Sequence, residues 1–206
     1  MTIINFGCGP FPSTGCLNID GSPTVLLARF VPAFLFVGAH KEVALAVRRY
    51  QVRFGRAKTI AFPNASVDGL YASHVLEHLP RRDCLRLLGK IRCWLKPSGV
   101  LRVVLPDLRG MARAYVEGAF SADEFVERTH LAIQGALAIR PSHHRWMYDV
   151  DSLSRLLEDA GYTEMRERGF REGRTPEVAE LDLAERRAES FYVEAQPRPR
   201  IHNPRS

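Results

Sequence analysis

Long uninterrupted apolar runs are missing from this chain. The most apolar window, Val25 to Ala39 (VLLARFVPAFLFVGA), is broken by Arg29 and Pro32 and falls short of the roughly 20 residues that cross a bilayer. It reads as a core helix or a hydrophobic lid, with contact at a membrane surface as the other reading. Cysteine is scarce: Cys8, Cys16, Cys84 and Cys93 form no Cys-x-x-Cys pair and have no histidine at zinc-finger spacing, which argues against a structural zinc site. A basic leader with a small-residue cleavage site is also lacking, because a strand-like run begins at Ile3. The expectation is a cytoplasmic protein with reduced thiols. Acidic residues are in deficit, 23 against 29 basic ones, for a net charge of +6. That balance suits an anionic partner such as RNA, acidic lipid or a phosphorylated sugar, or simply a solvated arginine-rich surface. No basic stripe interleaved with aromatics and no internal repeat is present, so a nucleic-acid module is not favoured.

What is present is enough for one domain. The 206 residues are 46% hydrophobic and 25% charged, ordinary values for a globular chain with a core of its own. The chain is organised around its first stretch. Ile3 to Phe6 and Cys16 to Ile19 have strand length and composition, with Gly7-Cys8-Gly9-Pro10 between them and Asp20 at the end of the second. Glycine permits a tight turn and close approach of a ligand to the main chain. An acid at that strand tip is placed to accept hydrogen bonds from a ribose diol. A lone Gly-x-Gly is equally an ordinary loop, so the rest of the chain must decide.

Beyond Asp20, Thr24 to Tyr50 reads as helix divided by Pro32, and Gln51 to Phe54 as a short strand. Val67 to Ala72 reads as a buried strand running into Ser73-His74-Val75-Leu76-Glu77-His78-Leu79, with helix onward through Arg81 to Leu95. Lys96 to Gly99 is a turn before the strand Val100 to Leu105, and Met111 to Ile139 is mostly helical. A ring-rich loop, Pro141 to Tyr148, precedes a helix Ser152 to Ala160 capped by Asp151 and stopped by Gly161. Thr163 to Arg168 and Phe191 to Ala195 are the last strands. The alternation predicts an α/β fold with a mostly parallel central sheet, helices on both faces, and a C-terminal antiparallel β-hairpin. One domain is expected over 1–196, with 108–148 as a helical insertion forming a lid over the cleft and 197–206 as a disordered basic Pro/Arg tail.

Four segments in order carry a likeness: NFGCGP with LNID, FPNASVDGLYASHVLEHL, WLKPSGVLRVVLPDL, and HRWMYDVDSLSRLLEDAGYTEM. The chain resembles class I S-adenosylmethionine-dependent methyltransferases with a Rossmann-like fold, and among them a small type-11-like group often associated with surface glycan pathways. The resemblance implies S-adenosyl-L-methionine as cofactor. Gly7, Cys8 and Gly9 would then wrap its methionine and ribose portions, Asp20 would hold the ribose hydroxyls, and Ala72, Ser73 and His74 would line the cleft beside the methyl group. Three features depart from the family pattern: a short first crossover, no acid in Gly55 to Ala61 for the adenine, and the apolar stretch at 25–39.

For the chemistry, a hydroxyl nucleophile needs a base. His74 is the leading candidate and Asp107, at the exit of the next strand, the second; each has a plain structural role as well, as helix cap or main-chain partner. His143, His144, Arg145, Trp146 and Tyr148 are the candidate substrate contacts, since rings stack on sugar faces and Arg145 can meet a phosphate or carboxylate. His143 and His144 have no third ligand at useful spacing, so no metal is expected. The function expected is methyl transfer to a small, sugar-containing acceptor, by O-methylation. An RNA methyltransferase and a non-catalytic methyltransferase-like binding module are the rivals.

Overall fold

A computed structural model describes residues 1–132 and 142–199. Seven strands form one sheet: β1 (Ile3–Phe6), β2 (Leu17–Asp20), β3 (Arg53–Phe54), β4 (Val67–Ser73), β5 (Leu95–Pro106), β8 (Tyr162–Arg168) and β9 (Ser190–Pro197), in the order β3-β2-β1-β4-β5-β9-β8. The first five are parallel, and β9 runs antiparallel between β5 and β8. The helices are α1 (Pro23–Leu27), α2 (Ala39–Tyr50), α3 (Arg81–Trp94), α4 (Leu108–Val116), α5 (Ala122–His130), α6 (Val150–Asp159) and α7 (Val178–Leu181). A two-stranded ladder, β6 (Leu131–Ala132) with β7 (Ser142–His143), brackets residues outside the described set.

The period-two alternation of strand side chains sorts the two faces. Ile4, Leu70, Ala72, Leu101, Val103, Leu105, Phe191 and Val193 point to one side, where Leu87, Leu88 and Ile91 of α3 and Leu153, Leu156 and Leu157 of α6 close over them. The other face carries Ile3, Tyr71, Val104 and Tyr192, and also Asn5, Asn18, Arg102 and Glu194, all buried. A surface that polar cannot be sealed by an ordinary amphipathic helix. It is covered by residues 169–187, whose helical content is the short α7 and a 3₁₀ turn, Ala184–Arg186. Leu181 fills the apolar part.

The buried guanidinium of Arg102 fastens that cover. It donates to Asp182 and Glu194 and to the carbonyls of Gly169 and Glu172. Glu194 accepts further bonds from Arg168 and from the main chain of Arg174 and Thr175. The Gly7–Cys16 connection holds no helix, as its shortness predicts. The cover reaches this connection as well, where Ser13 and Thr14 donate to Glu180. The expected pair of last strands is therefore antiparallel, but its connection is the lid of a whole sheet face rather than a turn.

Three expectations of local structure change. No core helix forms from Val25 to Ala39: Val25 and Ala28 are buried, whereas Phe30 is 84% and Phe34 77% exposed. Pro32, lacking an N–H, opens a 3₁₀ turn at Ala33–Leu35 instead of continuing α1. The helix after β4 does not start at His74. His74 adopts φ +54, Leu76–His78 form a 3₁₀ turn, and Pro80 holds Leu79 extended so that α3 begins only at Arg81. β5 also starts earlier than expected, at Leu95, with an irregular register against β4 between Val67 and Gly69. Residues 133–139 of the expected long helix and 200–206 of the expected tail lie outside the described residues.

Candidate active site at the carboxyl ends of the strands

β1, β2 and β4 end side by side, with Phe6 opposite both Ile19 and Ala72. The glycine turn sits on that edge because the Gly7 and Cys8 amides both donate to the Ile19 carbonyl, at 2.8 and 3.1 Å. Asn5 and Asn18 brace it from below: Asn5 Nδ2 donates to Asn18 Oδ1, and Asn18 Nδ2 to the Ser13 carbonyl. Gly7 and Gly9 both lie in the left-handed region, φ +73 and +51, but differ in what faces them. A side chain at Gly7 would collide with Val75, whereas nothing stands within 4 Å of the Cβ position at Gly9.

Asp20 closes this cradle. Its Oδ2 accepts from the Gly9 amide at 3.0 Å and its Oδ1 from the Ser22 amide at 2.7 Å. Each oxygen keeps a second lone pair to offer a ribose hydroxyl. Burial raises the Asp20 carboxyl above its ordinary value, opposed by the Ser22 and Gly9 bonds. The Cys8 side chain turns the other way, into an apolar cluster with Val25, Ala28, Ala44 and Val47, and burial pushes its thiol well up. Any role of Cys8 toward a ligand belongs to its backbone. Ala72 is likewise a core side chain beneath the site.

At the exit of β4 several groups converge. Arg186, delivered by the 3₁₀ turn of the cover, donates to Ser73 Oγ at 2.7 Å and to the Ser73 carbonyl at 3.2 Å, and its guanidinium stands over the Phe11 ring. His74 Nε2 bonds Ser190 Oγ at 2.8 Å, while its Nδ1 lies 3.7 Å from Glu77 Oε1. Burial pushes His74 down to about 3, helped by the positive charge of Arg186, so the ring is neutral at physiological pH. Glu77 is 0% exposed, and neither carboxylate oxygen has a hydrogen-bond partner among the described residues. Burial pushes it up to about 8.

The ring-rich loop packs onto this turn, with the Arg145 and Trp146 amides donating to the Glu77 carbonyl at 2.7 and 3.2 Å. His144 comes with it, and its ring lies 5.3 Å from that of His78. Ligand atoms of Glu77, His78 and His144 all lie within 4.8 Å of one another. Sequence spacing from His143-His144 offered no third donor; in the fold His144, without His143, meets two such groups, Glu77 and His78, from the distant turn at Leu76–His78. His143 itself is exposed, its ring tilted against that of His130 at 5.1 Å.

Two expected site residues have structural roles. Tyr148 is 1% exposed in the main core, its hydroxyl 3.6 Å from Cys84 Sγ, which removes it from the substrate-facing set. Asp107 caps α4, accepting from the Arg109 amide at 3.0 Å. Trp146 remains half-exposed beneath Arg81. Arg186 is the functional-looking residue that sequence reasoning passed over. For Arg186 no local signal existed, since its partner is Ser73.

The comparisons agree with this architecture. The sequence profile described as "Methyltransferase domain" matches residues 2–166. Among solved structures, a protein of Pyrococcus horikoshii superposes with a TM-score of 0.58 at 14% identity, covering 96% of this chain and 82% of the other. An S-adenosylmethionine-dependent methyltransferase of Methanosarcina mazei gives 0.56 at 16%, covering 96% and 92%. A Haloferax volcanii methyltransferase, solved in complex with the activator Trm112, gives 0.55 at 14%, covering 98% and 83%. At those identities the likeness is one of fold. No curated protein matches the chain. With the profile spanning most of its length and the glycine turn, strand-end acid and sheet order all in place, the chain belongs to the class I S-adenosyl-L-methionine-dependent methyltransferases.

Proposed function

We propose that this methyltransferase acts on a hydroxyl of a small, sugar-containing acceptor, with the cofactor held between Gly9 and Asp20. The observation that carries the reading is the neutral imidazole of His74, fixed by Ser190 at the end of β4 next to that cradle. The residues present fit S-adenosylmethionine: Gly9 leaves open space, Asp20 has acceptor capacity for a ribose diol, and Arg186 is the cation for a carboxylate. When bound, the cofactor supplies an electrophilic methyl on a sulfonium.

The protein's share is positioning and proton handling. Placing an acceptor oxygen in line with the methyl carbon supplies much of the rate. His74 takes the hydroxyl proton; only a neutral ring can do so. Its low basicity is the reason transfer must follow, not precede, attack by the oxygen. His144, Arg145 and Trp146, from the described part of the 108–148 lid, face the acceptor, with Trp146 offering a ring to a sugar face and Arg145 a charge to an anionic substituent.

Calorimetric titration with S-adenosylmethionine tests the cradle. Asp20→Ala is expected to weaken binding at least tenfold; unchanged affinity would overturn it. His74→Asn keeps a side chain that tolerates positive φ. With glycan-type hydroxyl acceptors it is expected to lower turnover 10²- to 10⁴-fold while cofactor affinity holds. Equal turnover in wild type and variant would remove His74 from the reaction.

A further inference from the structure

We propose that Glu77, His78 and His144 bind one divalent transition-metal ion, zinc being the best chemical match, at the mouth of the methyl-transfer cleft. The donor set is one carboxylate and two imidazoles, a combination that leaves a zinc coordination position open to water or substrate. Imidazole selects zinc and its neighbours over magnesium or calcium, which prefer all-oxygen sites.

Three observations support the site independently of one another. The first is the carboxylate. A fully buried Glu77 whose two oxygens have no hydrogen-bond partner among the described residues is costly unless something compensates it; the two nearby imidazoles, at 3.7 and 3.9 Å, are too far to be hydrogen bonds. The second is convergence: donor atoms of all three residues lie within 4.8 Å of one another. Bonds of about 2.0–2.1 Å at tetrahedral angles put donors roughly 3.3 Å apart, so an ion would draw the three groups together by about 1.5 Å or less.

The third is ring orientation. His78 Nδ1 faces the His143 carbonyl at 3.4 Å and His144 Nδ1 faces the Thr129 carbonyl at 3.3 Å. A carbonyl receives an N–H, so the tautomer these two contacts favour carries the proton on Nδ1. Metal-bound histidines are commonly oriented by just such a second bond. His74 Nδ1, 3.7 Å from the same Glu77 oxygen, flanks the open position. Resting on the hydroxyl-acceptor reading, the ion's role is to hold and polarise the acceptor oxygen beside His74.

Chelator-treated full-length protein titrated with zinc chloride by calorimetry, and with cobalt(II) by visible absorption, tests the site. One ion per chain and a tetrahedral cobalt spectrum are expected. Glu77→Gln is isosteric, and His144→Ala lies on a half-exposed loop; each is expected to weaken zinc about 100-fold or more, with circular dichroism confirming the fold. Weak multi-site uptake, or zinc affinity unchanged in both variants, would overturn the proposal. Asp20→Ala should lose S-adenosylmethionine and keep zinc, so failure of the cofactor cradle and failure of the metal site give different results.

Discussion

At the scale of single residues, the site is governed by which side chains may occupy unusual backbone or unusual surroundings. Gly7 is required twice over, by a positive φ and by Val75 filling the space a Cβ would need. Gly7→Ala should therefore destabilise the chain by about 1–3 kcal/mol, combining left-handed strain with overpacking. Val75→Ala in the same chain should recover the packing part and leave the strain. Urea unfolding of the two single variants and the double variant measures both, and full additivity would show that the contact is not felt. Gly9 is constrained by φ, while the side its Cβ would occupy is open among the described residues. The Arg in Val100-Leu101-Arg102-Val103-Val104-Leu105 illustrates a signal that was present and went unused. A single charge inside a buried strand run must have buried partners, and here they are Asp182 and Glu194.

At the scale of elements, termination and capping decide where functional groups land. Pro80 delays α3, and the 3₁₀ turn before it turns the Glu77 carboxylate inward rather than along a helix face. The helix α6 is anchored by a reciprocal capping box: Asp149 accepts from the Ser152 amide while Ser152 Oγ accepts from the Asp149 amide. Asp149→Ala is expected to cost about 1 kcal/mol, read as a lowered urea midpoint with an unchanged slope. The ion pairs from Arg109 to Asp149 and Asp151 are exposed and add little to that figure. A loss above about 2 kcal/mol would mean that the cap also holds the ring-rich loop that precedes it.

At the scale of the whole molecule, the missing first-crossover helix and the buried Arg102 network are one structural fact. The face that helix would cover carries charge, so a polar segment from the other end of the chain seals it. Arg102→Met leaves Asp182 buried without its cation and Glu194 with Arg168 alone, and should cost about 3–5 kcal/mol; a loss under about 1 kcal/mol would show that the cover is held by Leu181 and its apolar neighbours alone. The same network predicts an acid limit. Burial pushes Glu194 up, but the bonds from Arg174 and Thr175 and the charge of Arg102 outweigh it, so the folded value lies below the ordinary 4.5. Its stabilisation is complete above that ordinary value and drains away as pH falls through the folded one. Stability should thus decline below about pH 4.5, and Glu194→Gln, though less stable at pH 7, should show a shallower decline; parallel curves would place the acid sensitivity elsewhere.

The sequence by itself determined the alternation of strands and helices, the Gly7–Gly9 turn, the strand-end Asp20 and, through those, the sheet and its family. These follow from local rules: periodicity, turn chemistry, and the preference of positive φ for glycine. It also showed the short first crossover. Which residues share the cleft was decided only by tertiary structure. Arg186 reaches Ser73, His74 reaches Ser190, and His144 reaches Glu77 and His78, each across a long stretch of chain with no local pattern to announce it. Tyr148, in the same loop as His144, went to the core instead, because burial depends on which side of a folded loop meets the sheet, and that is fixed by packing rather than by spacing.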